Sequence, residues 1–306
     1  MNIDFAQPLP HVLVLLATYN GARWLDEQLE SIVEQQGVRV AVRVADDGST
    51  DDTVACIEKW IARHPSITLV PSAEHRLGAA GNFLRLVREA PLEGVDFVAL
   101  ADQDDVWPRG RLARAVERME LLDAAGYSSD AWAFWADGRR RRLGKSHPQR
   151  EFDFLFEPAG PGCTYVLART LAVAAQRELT TDLGRFDGLG YHDWWLYAFA
   201  RVHHFAWHID AEPSVMYRQH QSNELGANFG LGGVRRRWGR LTSGWFRDQV
   251  LRIGGQWPGP HRAVLGRLQG LAWSDRAWLA WHARDLRRRP RDQLALAAML
   301  LLGVLR

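Results

Sequence analysis

The first hundred residues alternate between apolar runs and segments with helical periodicity. Residues 11–17 (HVLVLLA) form a continuous apolar run that ends at TYNG, which predicts a buried strand followed by a turn. Valine alternates with arginine and alanine at residues 38–45, and this period of two predicts a second strand. Two further short strands are predicted at residues 67–70 and 95–101. Between the strands, apolar residues recur at spacings of three and four, which predicts helices at residues 24–33, 54–61 and 82–88.

Strands that alternate with helices indicate an α/β fold in which helices cover both faces of a mostly parallel sheet. Ligands bind such sheets beyond the carboxyl ends of the strands. Three of the four predicted strands end in polar clusters, namely Thr18-Tyr19-Asn20, Asp46-Asp47 and the DQDD segment at residues 102–105. The sequence therefore predicts one composite site at that edge of the sheet.

Polar residues also suggest where some elements begin, and later elements are harder to assign. Ser49 or Thr50 is placed to cap the second helix, and Pro108 is a favourable first residue for a helix after DQDDVW. Further along, the arginine run at 139–142 is expected to be a solvated loop. Candidate strands lie at residues 132–135 and 163–167, and a candidate helix lies at 194–202.

The segment DQDDVW has the chemistry of a cation site. Asp102, Asp104 and Asp105 fall within four residues, and such crowding of carboxylates is unfavourable unless they share a cation. Carboxylate oxygens suit Mg²⁺ or Mn²⁺, and Mg²⁺ is usually held by one or two carboxylates together with substrate phosphates. The alternative is an exposed acidic turn that caps the following helix. A second acidic pair at another strand end, Asp46-Asp47, favours the ligand site.

Five motifs in order carry a family resemblance: TYNG, DDGSTDDT, DQDDVW, YHDWW and YRQHQSN. Together they resemble the family 2 glycosyltransferases, which have the Rossmann-like GT-A fold, over most of residues 11–220. The later motifs are most similar to those of rhamnosyltransferase-like members that build bacterial surface polysaccharides. The resemblance implies an inverting, metal-dependent transfer of a sugar, with rhamnose a candidate, from a UDP- or dTDP-sugar. The implied acceptor is a hydroxyl of a lipid-linked or surface-polysaccharide glycan.

The resemblance assigns roles to residues of the donor site. Thr18 and Tyr19 are expected to line the nucleotide pocket, and Asp47 is expected to accept a hydrogen bond from the pyrimidine ring. Asp104 and Asp105 match the family's ribose and metal pair, with Asp105 the better candidate for direct metal ligation. Asp102 would then lie behind the metal ligands.

His192-Asp193-Trp194 stands where these enzymes place an acidic residue at the start of a helix below the acceptor. Asp193 is therefore the expected catalytic base, and a single base opposite the leaving group implies inversion. His192 and Trp194 are the expected acceptor contacts. The family more often has Glu-Asp at this position, whereas this chain has His192-Asp193. A plain N-cap role for Asp193 is the alternative.

Two further motifs are open to two interpretations. The segment GPGCT at residues 160–164 is either a close-approach loop beneath the acceptor or sugar, or a simple turn. His220 is a third candidate metal ligand, and Arg218 is suited to neutralise phosphate charge. A lone histidine is otherwise a structural or surface residue.

The C-terminal quarter differs in charge from the rest of the chain. From residue 233 onward there are 15 arginines and four aspartates, with no lysine or glutamate, which is a net charge of +11. Since the whole chain carries +2, residues 1–232 carry −9. We predict a GT-A nucleotide-sugar-binding and catalytic domain at residues 1–225 and a helical, basic, tryptophan-rich appendage at 226–306. Its tryptophans are Trp238, Trp245, Trp257, Trp273, Trp278 and Trp281.

Arginine with tryptophan and leucine suits an interfacial helix, so we expect peripheral attachment to an anionic membrane at the cytoplasmic face of the plasma membrane. Packing on the acidic catalytic domain is the alternative, and nucleic-acid binding is a third interpretation.

The N-terminal residues lack the pattern of a secretory signal, and the apolar stretch at 294–305 is too short to span a bilayer. Two distant cysteines, Cys56 and Cys163, argue against a disulfide scaffold or zinc site.

Two other functions compete with the glycosyltransferase interpretation. A sugar-nucleotide nucleotidyltransferase would share the pocket and metal, but it needs a glycine-rich basic loop, for which TYNGARW offers only Gly21 and Arg23. A non-catalytic nucleotide-sugar or nucleic-acid binding protein is the alternative from another class.

Overall fold

The computed structural model of the chain describes residues 8–181, 183–186, 188–220, 239 and 242–305. The predicted domain boundary between residues 225 and 226, the last three residues of YRQHQSN and Trp238 lie outside this part of the chain.

The first 121 residues alternate strands and helices, as the periodicity predicts. The elements are β1 (His11–Thr18), α1 (Ala22–Val33), β2 (Arg39–Asp46), α2 (Thr53–Arg63), β3 (Ile67–Leu69), α3 (Gly78–Arg88), β4 (Phe97–Ala101) and α4 (Arg111–Leu121).

Two expected helix starts are wrong. The N-cap of α2 is Asp52, so neither Ser49 nor Thr50 caps it. Ser49 instead donates its hydroxyl to Asp46, and the backbone N–H of Thr50 bonds the side chain of Asn20. The helix after DQDDVW begins at Arg111 rather than Pro108, because Pro108 belongs to a turn closed by the bond from Arg111 N to its carbonyl.

The middle of the chain adds shorter elements. They are β5 (Gly126–Ser129), β6 (Ala131–Phe134), β7 (Arg140–Leu143), α5 (Asp153–Phe156), a 3₁₀ turn (Gly162–Thr164), β8 (Val166–Ala168), α6 (Arg169–Thr181), a second 3₁₀ turn (Leu183–Phe186), α7 (His192–Val202), β9 (Trp207–Asp210) and β10 (Met216–Arg218). The expectation of a loop at the arginine run is wrong, because β7 pairs with β6 through its backbone while its arginines stay exposed.

The main sheet has seven strands in the order β3-β2-β1-β4-β8-β5-β9. All neighbours are parallel except β8, which runs antiparallel to both β4 and β5. The prediction of a mostly parallel sheet is confirmed. Because β8 is reversed, the 3₁₀ turn before it lies at the same edge as the carboxyl end of β4. A second sheet has the order β10-β6-β7.

Helices cover both faces of the main sheet. The side chains of β1 alternate between two hydrophobic clusters, with Val14 in one and Leu15 in the other. The Val14 cluster includes residues of α1, α2 and α4, and the Leu15 cluster includes residues of α3, α6 and α7. This alternation is the expected result of burying a strand on both faces. Both cysteines are buried and free.

Within residues 245–305 the helices are α8 (Trp245–Gly254), α9 (Arg262–Gly270), α10 (Trp273–Trp281), α11 (Ala283–Leu286) and α12 (Pro290–Leu301). Apolar residues of all five join the Leu15 cluster, and Trp257 packs on Trp195 of α7. Arg288, which is buried, pairs with Asp153 at 2.9 Å and Glu157 at 3.5 Å. The C-terminal helices therefore pack on the acidic α/β domain. None of the helices in the described ranges combines the length and apolar character needed to cross a bilayer.

Candidate active site

A cavity of about 510 Å³ opens at the carboxyl edge of the main sheet, where the sequence predicts a composite site. Its wall contains side chains from the ends of β1, β2 and β4, from the start of α3, and from the residues that lead into α7. Seven of the residues with roles proposed from the sequence lie in this wall: Thr18, Tyr19, Asp47, Asp102, Asp104, His192 and Asp193. Asp102, which was expected behind the metal ligands, therefore lines the cavity, whereas Asp105 and Trp194 do not. His220 does not line it either, but contacts Asp104, which does.

At the β2 end of the cavity, Asp47 is held by the loop that precedes α3. Its two carboxylate oxygens accept hydrogen bonds from the backbone N–H groups of Leu77 and Gly78, both at 2.7 Å. The guanidinium of Arg76 lies 3.6 Å from the same carboxylate and stacks over the ring of Tyr19 at 3.6 Å. Sequence analysis missed Arg76, because a loop arginine outside any motif gives no pattern to detect.

Asp46, the other member of the acidic pair, shapes the turn rather than the cavity. Its carboxylate accepts bonds from the Thr18 hydroxyl at 3.0 Å and from the backbone N–H groups of Gly48 and Ser49 at 3.1 and 2.8 Å. These bonds fix the end of β1 to the end of β2. Asp47 is therefore the member of the pair that a ligand can contact.

Gln103, between the acids of DQDD, joins that segment to TYNG. Its side-chain oxygen accepts the N–H of Tyr19 at 2.8 Å, and its side-chain nitrogen donates to the Tyr19 carbonyl at 3.0 Å. A Cβ added at Gly21 would lie 2.2 Å from the same oxygen, so a glycine is needed at that position. This contact therefore explains the glutamine at position 103 in DQDD and the glycine at position 21 in TYNG.

Asp104 and His220 contact each other just beyond the carboxyl end of β4. The His220 Nε2 atom lies 2.7 Å from Asp104 Oδ2. An antiparallel bridge between Val106 and Met216 brings β10 alongside the DQDD loop. Arg218 also links β10 to the DQDD loop, since its side chain donates to the Asp104 carbonyl at 2.8 Å. A carboxylate oxygen beside an imidazole nitrogen is a suitable pair of ligands for Mn²⁺.

Asp105 is fully buried behind this pair. Its Oδ1 atom accepts the Arg218 N–H at 3.1 Å, while Oδ2 has no hydrogen-bond partner among the described residues. Burial, followed by the negative charges of Asp104 and Asp102, raises the pKa of this carboxyl well above its ordinary value. A nearby cation would favour the ionised form of the Asp105 carboxyl and so lower its pKa. Asp104 lines the cavity, whereas Asp105 does not.

Asp102 and Asp105 also form a group with the thiol of Cys163, whose ligand atoms lie within 4.8 Å of one another. This group could hold a metal ion. Burial, followed by the negative charges of Asp105 and Asp102, raises the pKa of the Cys163 thiol well above its ordinary value. The carboxylates are the members of the group that suit a hard divalent cation.

Asp193 lies in the first turn of α7 and faces the cavity. Burial raises the pKa of its carboxyl from 3.8 to about 6, while the hydrogen bond from the Trp194 N–H at 2.8 Å and the positive charge of Lys145 lower it by smaller amounts. A carboxylate with a pKa near neutrality is suited to accept a proton from an alcohol. The alternative N-cap role is wrong, because Tyr191 occupies the N-cap position.

His192 lies beside Asp193 in a close-packed part of the cavity wall. Its ring stacks on Phe83 with 3.9 Å between centroids, and burial lowers its pKa to about 3, so the imidazole is neutral. A Cβ added at Gly162 would lie 2.6 Å from His192 Nε2 and 3.2 Å from Asp193 Cβ. Gly162 therefore lets this 3₁₀ turn pack closely against His192 and Asp193, and Pro161 and Gly162 line the cavity.

Trp194 does not lie where the sequence placed it. It is buried in the core, where its indole N–H donates to the Phe154 carbonyl at 2.8 Å and its ring stacks on Phe246. An acceptor in the cavity cannot contact it. The aromatic residues that line the cavity next to Asp193 are Tyr191 and Trp245. The sequence pointed to Trp245 only as one of several tryptophans in the C-terminal region.

Comparison with known proteins agrees with this geometry. Residues 13–168 match the model of glycosyl transferase family 2. The chain is 34% identical over 290 residues to the dTDP-rhamnosyl transferase RfbG of Shigella flexneri, which covers 94% of this chain and all of that protein. It is also 33% identical over 145 residues to the succinoglycan biosynthesis protein ExoO of Rhizobium meliloti, which covers 47% of this chain and 39% of that one.

Solved structures share the fold. TarS of S. aureus in complex with UDP-GlcNAc superposes with a TM-score of 0.57 at 12% identity, over 97% of this chain and 82% of that one. The mannosyltransferase PcManGT of Pyrobaculum calidifontis, in complex with GDP-Man and Mn²⁺, gives 0.53 at 21% identity, over 97% and 75%. The predicted GT-A fold is confirmed. With the sequence match and the cavity geometry, these findings show that the chain belongs to glycosyl transferase family 2 and is a glycosyltransferase.

Proposed function

We propose that the chain transfers rhamnose from dTDP-rhamnose to an acceptor hydroxyl during the synthesis of a bacterial surface polysaccharide. The observation that carries this proposal is the 34% identity to a dTDP-rhamnosyl transferase over nearly the whole of both chains. A UDP-sugar is the second candidate donor, since a pyrimidine of either kind offers a ring N–H to Asp47.

The pyrimidine would bind at the β2 end of the cavity. Asp47 is the acceptor for the ring N–H, since a carboxylate has lone pairs beyond those that Leu77 and Gly78 use. Tyr19 and Arg76 offer a ring face and a guanidinium plane for stacking against the base. Thr18 anchors this end of the site through its bond to Asp46.

The diphosphate would lie at the end of β4, where Asp104 and His220 are the proposed ligands of Mg²⁺ or Mn²⁺. Asp102 and Asp104 supply the local negative charge that favours a cation, and the two proposed ligand atoms lie within hydrogen-bond distance of each other, at 2.7 Å. When bound, the cation would offset the charge that develops on the departing diphosphate. Arg218 holds the β10 side of this site in place through its bond to the Asp104 carbonyl.

Asp193 is the proposed base. It would take the proton of the acceptor hydroxyl while the acceptor oxygen forms a bond to the anomeric carbon and the bond to the diphosphate oxygen breaks. Because one base serves a single displacement from the face opposite the diphosphate, the product has the inverted anomeric configuration. The raised pKa of Asp193 makes it a stronger base than an exposed aspartate.

The donor proposal is tested with a thermal-shift panel of UDP, dTDP, GDP and CDP, each with and without Mn²⁺. A ligand that binds only the folded state raises its stability by mass action. We expect a metal-dependent shift with dTDP that is lost in Asp104→Asn, followed by inverted product from dTDP-rhamnose. A shift limited to GDP, or none with any nucleotide, would overturn the proposed donor.

We further propose that the protein attaches peripherally to the anionic cytoplasmic face of the plasma membrane, where a lipid-linked acceptor lies. Four large apolar side chains on α10, on α12 and just after it are strongly exposed, namely Trp273 (68%), Trp281 (80%), Leu294 (74%) and Leu302 (78%). Exposed arginines follow in the same region, including Arg284 and Arg291. Tryptophan and leucine insert at the headgroup level while arginine binds anionic lipid.

Sedimentation with vesicles tests this attachment. We expect the full chain to bind vesicles that contain phosphatidylglycerol and to bind neutral vesicles weakly. The double variant Trp273→Ser/Trp281→Ser should lose most of this binding, while Leu121→Ser, which removes an equally exposed apolar side chain from α4, should keep it. Equal binding by both variants would contradict the proposal.

A further inference from the structure

The cavity wall next to Asp193 contains an aromatic corner that the proposed roles do not use. Tyr191 immediately precedes α7, and Trp245 is the first residue of α8 in the C-terminal region. Their rings meet edge to face, with centroids 5.4 Å apart and planes at 88°. Both are half-buried and both line the cavity.

From this corner we infer an acceptor subsite in which Trp245 and Tyr191 bind the apolar face of a pyranose ring. The acceptor would then be a saccharide that presents one hydroxyl to Asp193. This inference rests on the proposed function, because it extends the same site to its second substrate.

The corner lies next to Asp193 in the cavity. Tyr191 is the N-cap residue of α7, directly before the turn that contains Asp193, and the Trp245 ring packs on it. Both aromatic side chains line the same cavity as Asp193. A sugar ring that stacks on them therefore lies in the same cavity as the proposed base.

The corner is held rigidly by α8. The Gln249 side chain accepts the Gly190 N–H at 2.8 Å and donates to the Gly188 carbonyl at 3.0 Å, which fixes the backbone before Tyr191. Gly190 lets the Trp245 ring approach closely, since a Cβ there would lie 2.6 Å from its Cζ2 atom. A platform that is ordered before binding loses little entropy when a ligand stacks on it.

The chemistry of this corner matches a sugar ring better than other alcohols. A pyranose has a face of C–H groups and a rim of hydroxyls, so it can stack on the negative face of an aromatic ring while one hydroxyl reaches a carboxylate. A linear alditol has no continuous apolar face. An acceptor that relied on a phosphate at this point would bring a negative charge toward Asp193.

Saturation-transfer-difference NMR on the full chain tests the subsite. The probes are the methyl α-pyranosides of rhamnose, glucose, galactose and N-acetylglucosamine, with ribitol as the linear comparison, in the presence of dTDP and the diamagnetic cation Mg²⁺. We expect saturation of the ring C–H protons of at least one pyranoside and little for ribitol. Trp245→Ala should weaken pyranoside binding by about three- to tenfold, while Trp245→Phe should bind close to the wild-type level.

A second variant distinguishes loss of the subsite from a folding defect in Trp245→Ala. Gly190→Ala keeps the indole but forces it away from its position, so it should weaken pyranoside binding while leaving the dTDP signals in the same sample intact. Unchanged pyranoside signals in both variants, equal signals from ribitol, or no pyranoside signal beside a clear dTDP signal would overturn the subsite alone. Loss of the dTDP signals from the wild type would overturn the donor site and this inference with it.

Discussion

The Nε2 atom of His220 lies 2.7 Å from the Oδ2 atom of Asp104, across a separation of 116 residues in the sequence. The contact exists because the bridge between Val106 and Met216 aligns the end of β10 with the DQDD loop. It places an imidazole and a carboxylate together at the position where a diphosphate-bound cation is proposed.

Removal of either member of this pair should weaken the cation site. We expect Asp104→Asn and His220→Ala each to raise the Mn²⁺ concentration needed for half of the dTDP-induced thermal shift by at least about tenfold. The exposed acid Glu151 provides a control, since Glu151→Gln removes the same charge elsewhere. If His220→Ala behaves like that control, His220 is not a metal ligand.

The raised pKa of Asp193 predicts the pH dependence of catalysis. Its carboxyl must be ionised to act as the base, and its pKa is about 6. The value of kcat/KM should therefore rise tenfold per pH unit below about 6 and level off above that pH. Asp193→Asn should lower kcat by about 10²- to 10⁴-fold without a large change in dTDP binding. A rate that is flat between pH 5 and 8 in the wild type would show that another group is the base.

The raised pKa of Asp193 also predicts how the free energy of unfolding depends on pH. A salt-bridged acid, whose pKa is lowered, adds stability as pH rises, whereas Asp193 should reduce it. Because the folded-state pKa lies above the ordinary 3.8, the native state prefers the protonated carboxyl, and stability is lost as pH rises from about 4 through about 6. Asp193→Asn removes this penalty. In urea unfolding we expect the variant to exceed the wild type by about 1–3 kcal/mol at pH 8 and to match it near pH 4. The exposed Glu93→Gln should show no such difference.

The contact between Gln103 and Gly21 can be tested with a double-mutant cycle that measures the free energy of unfolding. Gln103→Ala removes both bonds to the Tyr19 backbone, and we expect a loss of about 1–3 kcal/mol in the free energy of unfolding. Gly21→Ala should cost a similar amount because its Cβ would collide with the Gln103 side-chain oxygen. In the Gln103→Ala background the same glycine substitution should cost less than about 1 kcal/mol. Additive costs would mean that the two residues do not interact.

The buried ion pairs of Arg288 predict how strongly the C-terminal region is joined to the α/β domain. Arg288→Met removes the buried guanidinium that pairs with Asp153 and Glu157, while Asp153 keeps its pair with Arg201 and Glu157 its pair with Arg287, and we expect a loss of about 3 kcal/mol in urea unfolding. Arg291→Met removes an exposed pair with Asp292 and should cost at most about 1 kcal/mol. Equal effects would show that the buried network contributes little.

Local sequence determined the order of strands and helices through residue 121 and the motifs that end the strands. This was possible because hydrophobic period and the polar residues that end a strand are properties of short segments. Parallel pairing then brings those strand ends to one edge, so the sequence also predicted that Thr18, Asp47 and Asp104 share a site. Asp193 was found through its motif.

Tertiary structure alone decided which neighbouring side chains face the cavity. Asp104 faces it while Asp105 is buried, because the Arg218 N–H from β10 fixes the Asp105 carboxylate. Trp194 turns into the core and Trp245 lines the cavity instead, because α8 packs against the start of α7. Each outcome depends on contacts between segments tens of residues apart or more. No local pattern encodes such contacts, since their geometry is set by the packing of whole elements.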